Sequence, residues 1–171
     1  GLAFVPNVKF FDLIVFLAGF TLGVRRGSTV AIISWAIYGN FNPWGQTTGL
    51  LLATVMGAEL LFALAGEWTR KILAFIKHKD YSLLLGVLFG VAALIPTLLY
   101  DLITNVYTGL VWSGLAGNTG MIEWIWVALV NPGAILFYVL HIGSNIVFFV
   151  VMGIPIAKRI EKGNFKFPWQ I

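Results

Sequence analysis

An all-α polytopic membrane protein is predicted by three features of this chain. Of its 171 residues, 59% are hydrophobic and only 11% charged, with a mean hydropathy of +0.90; soluble domains carry roughly 25% charged residues. The eleven basic residues are clustered, with Lys9 standing alone. Between the clusters run apolar stretches of helix length. A spanning helix uses about 20 residues plus a connection, so the length accommodates five or six spans and no separate soluble domain. Residues 1–171 are therefore expected to form a single integral membrane domain. The chain has no cysteine, which excludes disulfide frameworks, thiolate metal sites and cysteine nucleophiles.

Five spans are visible. The first, Phe10 to Val24, is short and ends at Arg25 and Arg26. The second runs from Ser28 to about Tyr38, where Gly39 to Gly45 supplies turn-forming residues and the interfacial Trp44. The third, about Thr48 to Trp68, leads to Arg70, Lys71, Lys77 and Lys79. A fourth extends from Tyr81 to Asp101 or Asn105. The fifth starts after Asn131 and Pro132, an N-cap residue followed by a first-turn proline, and ends before Lys158. Alternating these spans puts all three basic clusters on one side, cytoplasmic by the positive-inside rule, with the C-terminus inside and Gly1 outside. No methionine, basic n-region or cleavage site precedes the first span, so a sixth helix is expected before Leu2 in the full-length protein.

Asn105 to Val130 is too long and aromatic for a plain connector, and a structured outer cap is expected there. Tyr107, Trp112, Trp124 and Trp126 match an aromatic belt, Gly109, Gly114, Gly117 and Gly120 supply turns, and Met121 to Leu129 reads as a short interfacial helix. Together with Trp35, Tyr38 and Trp44, these rings form a composition suited to stacking a planar organic molecule.

Polar residues inside spans are informative because an ionised group at the bilayer centre costs at least about 2.5 kcal/mol. Glu59, mid-way along the third span, reads either as a ligand carboxylate or as a hydrogen-bonded residue holding helices together. Asp101, near the outer end of the fourth span with Asn105 one turn on, reads either as a ligand or as a helix-end hydrogen-bonding residue. Tyr138, His141 and Asn145 share one helical face by their spacing of three and four, and His141 reads equally as packing residue or ligand. Glu67 is expected to pair with Arg70 or Lys71, and Asp12, at i, i+3 from Lys9, to be interfacial. Catalysis is not expected. Ser144 lacks a nucleophile elbow, His78 lies in a basic loop, and neither a metal-ligand pattern nor a phosphate-cradling loop is present, so no cofactor and no ATP hydrolysis by this chain are expected.

Several segments carry a family resemblance. Pro6-Asn7-Val8 into Phe10-Phe11, followed by Phe16-Leu17-Ala18-Gly19-Phe20-Thr21-Leu22-Gly23-Val24-Arg25-Arg26-Gly27, resembles the outer loop, second helix and tight cytoplasmic turn of the substrate-binding S components of energy-coupling factor (ECF) transporters. Tyr38 to Gly45, through Asn40 and Trp44, resembles a variant of the next helix exit, and His141-x-x-Ser144-Asn145 with Gly153-Ile154-Pro155-x-x-Lys158 resembles the final helix. The resemblance implies a six-helix fold whose first helix is the one missing here. It further implies a capture subunit for a vitamin or related micronutrient, partnered by a transmembrane scaffold subunit and two cytoplasmic ATPases, that reorients in the bilayer to deliver its substrate. The implied substrate site gathers Asn7, Trp35, Asn40, Trp44, Glu59, Asp101, Asn105, Tyr138, His141 and Asn145. Aromatics with a mid-membrane acid favour a heterocycle, amine-bearing or cationic, while a flavin, corrinoid or modified nucleobase would also stack. The contrasting expectation is a small membrane assembly or scaffold protein, its aromatics anchoring it and its polar groups joining helices. Neither reading involves nucleic acid.

Overall fold

The computed structural model describes residues 7–41, 45–76 and 82–162, and these are helical almost throughout. The order is α1 (Phe11–Leu22), α2 (Val24–Phe41), α3 (Gly49–Ile76), α4 (Ser82–Leu115), α5 (Met121–Val130) and α6 (Pro132–Val147), which runs through a π-helical segment (Phe148–Gly153) into α7 (Ile154–Lys162). The all-α expectation holds for the described residues. Three helical stretches are long and apolar enough to cross a membrane: Gly49–Ile76, Leu83–Leu115 and Pro132–Ile160. The expected first span is a helix of 12 residues, about 18 Å at 1.5 Å per residue, and α2 begins with Arg25 and Arg26 in its first turn.

The boundaries follow local chemistry. Gly23, at φ 85°, ends α1 in a backbone conformation that favours glycine, and α2 restarts at the next residue. The free N–H of Val24 donates to Glu67 Oε2 at 2.6 Å, and Glu67 also pairs with Lys71 one turn on at 2.5 Å. That pairing, expected from sequence, supports α3 well past Trp68, so the cluster of Arg70 and Lys71 lies within the helix rather than after it. Asn131 caps α6 as its position implied, accepting from the Ala134 N–H at 2.9 Å.

Two expectations about the outer cap change. α4 does not stop near Asn105 but continues to Leu115, because nothing between them breaks a helix and Thr104, Asn105 and Thr108 return their side-chain donors to carbonyls one turn back. Gly109 and Gly114 are consequently helical rather than turns. The turn lies at Gly117 and Asn118, with φ of 81° and 58°, and Gly120 at 60°. From there α5 folds back along α4 over Gly109, where a Cβ would meet the Ile125 backbone.

α1 is the centre of the bundle, packed on α2, α3 and the π-helical segment. Small residues let the backbones touch: a Cβ on Gly19 would overlap the Ala63 carbonyl, and one on Gly66 the Phe16 carbonyl. Close approach through small residues is the usual way helices associate where lipid removes the hydrophobic drive. Around this seam Phe16 packs on Phe149 and Phe89, with ring centroids 4.7 and 5.0 Å apart. The π-helical segment, which the sequence pattern did not reveal, buries Phe149 and sets Gly153 against Leu13 and Phe89.

Gly66→Ala is expected to lower stability by about 1–3 kcal/mol, since the methyl meets backbone that cannot move aside. Gly90→Ala, with open space around its Cβ, should leave it unchanged or slightly higher. Thermal melts of the two variants in detergent decide the matter, and equal melting temperatures would refute the seam.

Candidate ligand-binding site

The extended register of α4 builds the site. Thr97, Tyr100, Asp101, Thr104, Asn105, Thr108 and Trp112 recur at helical spacing and so lie along one face. Against this face stand α2, which brings Trp35 and Tyr38, and the first turns of α6, which bring Ala134 and Phe137. The space between them is a cavity of about 700 Å³, within the range of roughly 300–1,000 Å³ typical of small-molecule sites.

Its aromatic wall is ordered by contacts. Trp35 and Tyr100 lie nearly parallel, 16° apart with centroids at 6.3 Å, while Tyr38 meets Trp35 edge-on at 5.4 Å. The indole N–H of Trp35 donates to Glu59 Oε2 at 3.1 Å, which fixes the ring plane from behind. Lys9 lies over the Tyr100 ring, its Nζ 3.9 Å from the centroid, a cation–π geometry shielded from solvent.

Adjoining the cavity is a buried polar network centred on His141. Its Nδ1 is 2.8 Å from Asp101 Oδ1 and its Nε2 2.6 Å from Asp12 Oδ2. Asn145 donates through Nδ2 to Asp12 Oδ2 and to Thr97 Oγ1, each at 2.9 Å. The Thr97 hydroxyl in turn donates to the Ala93 carbonyl at 2.6 Å, in the turn containing Pro96. Two hydrogen bonds between one imidazole and two carboxyl groups need two protons shared among the three residues. The network joins α1, α4 and α6.

The sequence-derived site residues divide three ways. Asn7, Trp35, Asp101 and Asn105 stand on the cavity wall, Asn7 also donating to the Phe137 carbonyl at 3.3 Å. Glu59, His141 and Asn145 are buried behind the wall, where they hold wall residues or helices in place. Tyr138 faces elsewhere: its hydroxyl donates to the Leu129 carbonyl at 3.1 Å and ties α6 to the end of α5. Asn40 is exposed, donating to the Ala36 carbonyl and accepting from Gln46. Trp44 and His78 lie outside the described residues.

Asp12 is a correction, because the expected interfacial residue is fully buried, hydrogen-bonded to His141 Nε2 and accepting from Asn145. Lys9 is drawn inside with it. Tyr100, Thr104 and Thr108 were also missed as wall residues; their spacing to Asp101 was the available signal. Ser144 donates its hydroxyl to the His141 carbonyl at 3.1 Å, an intrahelical role. Among the described residues no group of three His, Asp or Glu side chains is arranged to hold a metal.

No protein family, curated protein or solved structure matches this chain.

His141→Ala would leave Asp12 and Asp101 buried without their shared bridge, and the expected loss is about 3–5 kcal/mol. His141→Gln, able to donate to one carboxyl, should fall between that variant and the parent. Thermal unfolding in nanodiscs reads the order, and a parent-like melt for His141→Ala would show that the bridge is not structural.

Proposed function

We propose that this chain is a membrane-embedded capture subunit for a small planar organic solute of the vitamin or micronutrient class. The observation that carries this reading is the cavity of about 700 Å³ with Trp35, Tyr38, Tyr100 and Trp112 on its wall and polar groups at Asn7, Asp101 and Asn105. Ring stacking supplies affinity there, and a few directed hydrogen bonds supply orientation.

In the more specific form of the proposal, based on the sequence resemblance, the chain is the S component of an ECF-type importer. A transmembrane scaffold subunit and two cytoplasmic ATPases supply the energy, and the loaded subunit reorients in the bilayer to release its cargo. In this reading α1 and α2 complete a five-span arrangement with the three long apolar helices. Arg25, Arg70 and Lys158 and their neighbours then face the cytoplasm, as does the C-terminus. The cavity belongs to the outer half, on the side opposite those basic residues. The apolar outward faces of α4, α6 and the π-helical segment, where Leu98, Leu102, Val139 and Val151 are exposed, suit a body that moves within lipid.

Native mass spectrometry of the protein, extracted gently from cells grown in rich medium, is expected to show a stoichiometric vitamin-sized adduct. Trp35→Ala should weaken its retention about tenfold, equivalent to roughly 1.4 kcal/mol. Trp126→Ala, at an exposed ring off the cavity wall, should not. Preparations that stay empty, with no thermal shift across a vitamin panel, would overturn capture in favour of an assembly or scaffold role.

A further inference from the structure

The cavity wall contains two charged side chains, Lys9 and Asp101, of opposite sign. Both are almost wholly shielded, at 4% and 3% exposure. They are not paired with each other. Among the described residues Lys9 makes no direct ion pair and no hydrogen bond; its Nζ stands over the faces of Tyr100, Trp35 and Phe11, and the Asp12 and Glu59 carboxyl groups act on it electrostatically without touching it. Asp101 spends Oδ1 on His141, while Oδ2 is buried with no hydrogen-bond partner among the described residues.

A buried ammonium and a buried carboxylate oxygen left unsatisfied on one wall are both costly, and each is relieved by a group of opposite character. A ligand of one sign would relieve one and face the like charge of the other. Tyr100, adjacent in sequence to Asp101 and directly under Lys9, lines the same cavity, so a ring near Tyr100 and Trp35 can carry substituents toward both. Of the neighbouring polar groups, Asn105 returns its Nδ2 to the Asp101 carbonyl, Asn131 is occupied capping α6, and the Asp12 and Glu59 carboxyls act on Lys9 from outside the cavity lining, leaving the cavity side of its ammonium without a direct polar partner among the described residues.

We infer that the cavity takes a zwitterionic aromatic solute, with an anionic oxygen group against Lys9 Nζ, an N–H donor against Asp101 Oδ2, and its ring among Trp35, Tyr38 and Tyr100. This rests on the capture reading and narrows its substrate class; it departs from the purely cationic or amine-bearing heterocycle that the sequence favoured.

The test presents the purified full chain, in lipid nanodiscs, with a defined equimolar mixture of solutes built on indole, pyridine and imidazole rings. Each ring is supplied in four forms: with amine and carboxylate, amine only, carboxylate only, and neither. Retained molecules are counted by mass spectrometry after equilibrium dialysis. At least tenfold enrichment of a zwitterionic form over its three counterparts on the same ring is the expected result. Lys9→Met should erase that preference and leave the amine-only form as the best retained, and Lys9→Arg should restore it. Enrichment of a singly charged or neutral form by the parent protein overturns this inference while leaving capture standing. Retention of nothing in any class overturns both.

Discussion

The bridge from Asp12 through His141 to Asp101 is the constraint on which the rest of the structure depends. In an apolar environment a carboxyl group needs a partner, and the imidazole serves one on each side, from α1 and from α4. Because hydrogen bonds at 2.6 and 2.8 Å tolerate little sliding, they set the register of three helices together. Asn145, one turn along α6, repeats the join to α1 and adds Thr97, so the registration is made twice. Such a network is stiff when fully satisfied and costly when broken.

The seam of small residues between α1 and α3 works with the bridge rather than beside it. Gly19 and Gly66 let those backbones close, which brings Phe16 onto Phe89 and Phe149 and carries Asp12 inward from the start of α1. The π-helical segment lies next to the same aromatic cluster. Its extra backbone length turns Phe149 into the core and sets Gly153 close against Leu13 and Phe89, where an added Cβ would press on both side chains. Removing any one of these close approaches would move α1, and Asp12 with it, away from His141.

How much of this could be read in the sequence differs from residue to residue for physical reasons. Asn131 with Pro132, and Glu67 with Lys71, act locally, and local chemistry is visible in spacing. The face shared by His141 and Asn145 was visible for the same reason. Asp12 was misplaced because its spacing to Lys9 showed only the local electrostatic neighbour, whereas its hydrogen-bond partners, which draw both residues inside, lie 129 and 133 residues away in the chain. The end of α4 was misjudged because glycines at 109 and 114 look like punctuation; in the fold they are places where α5 comes close or a helix simply tolerates them. Tyr138 shows the limit of periodicity: it shares a stripe with His141, yet its hydroxyl finds Leu129 on a neighbouring helix.

Asp101 links the two halves of the molecule. One oxygen belongs to the bridge that fixes the helices, while the residue itself forms part of the cavity wall. A carboxyl group on a mobile side chain would lose rotamer freedom on meeting a ligand, but this one has already been fixed by His141, so under the capture proposal recognition there would begin from an ordered geometry. Trp35 is prepared in the same way by Glu59. The buried acids at 12, 59 and 101 therefore do not need to be ligands in common to shape one cavity. Two of them hold what the third and the rings present, and that division explains why so apolar a chain retains three acids in its buried core.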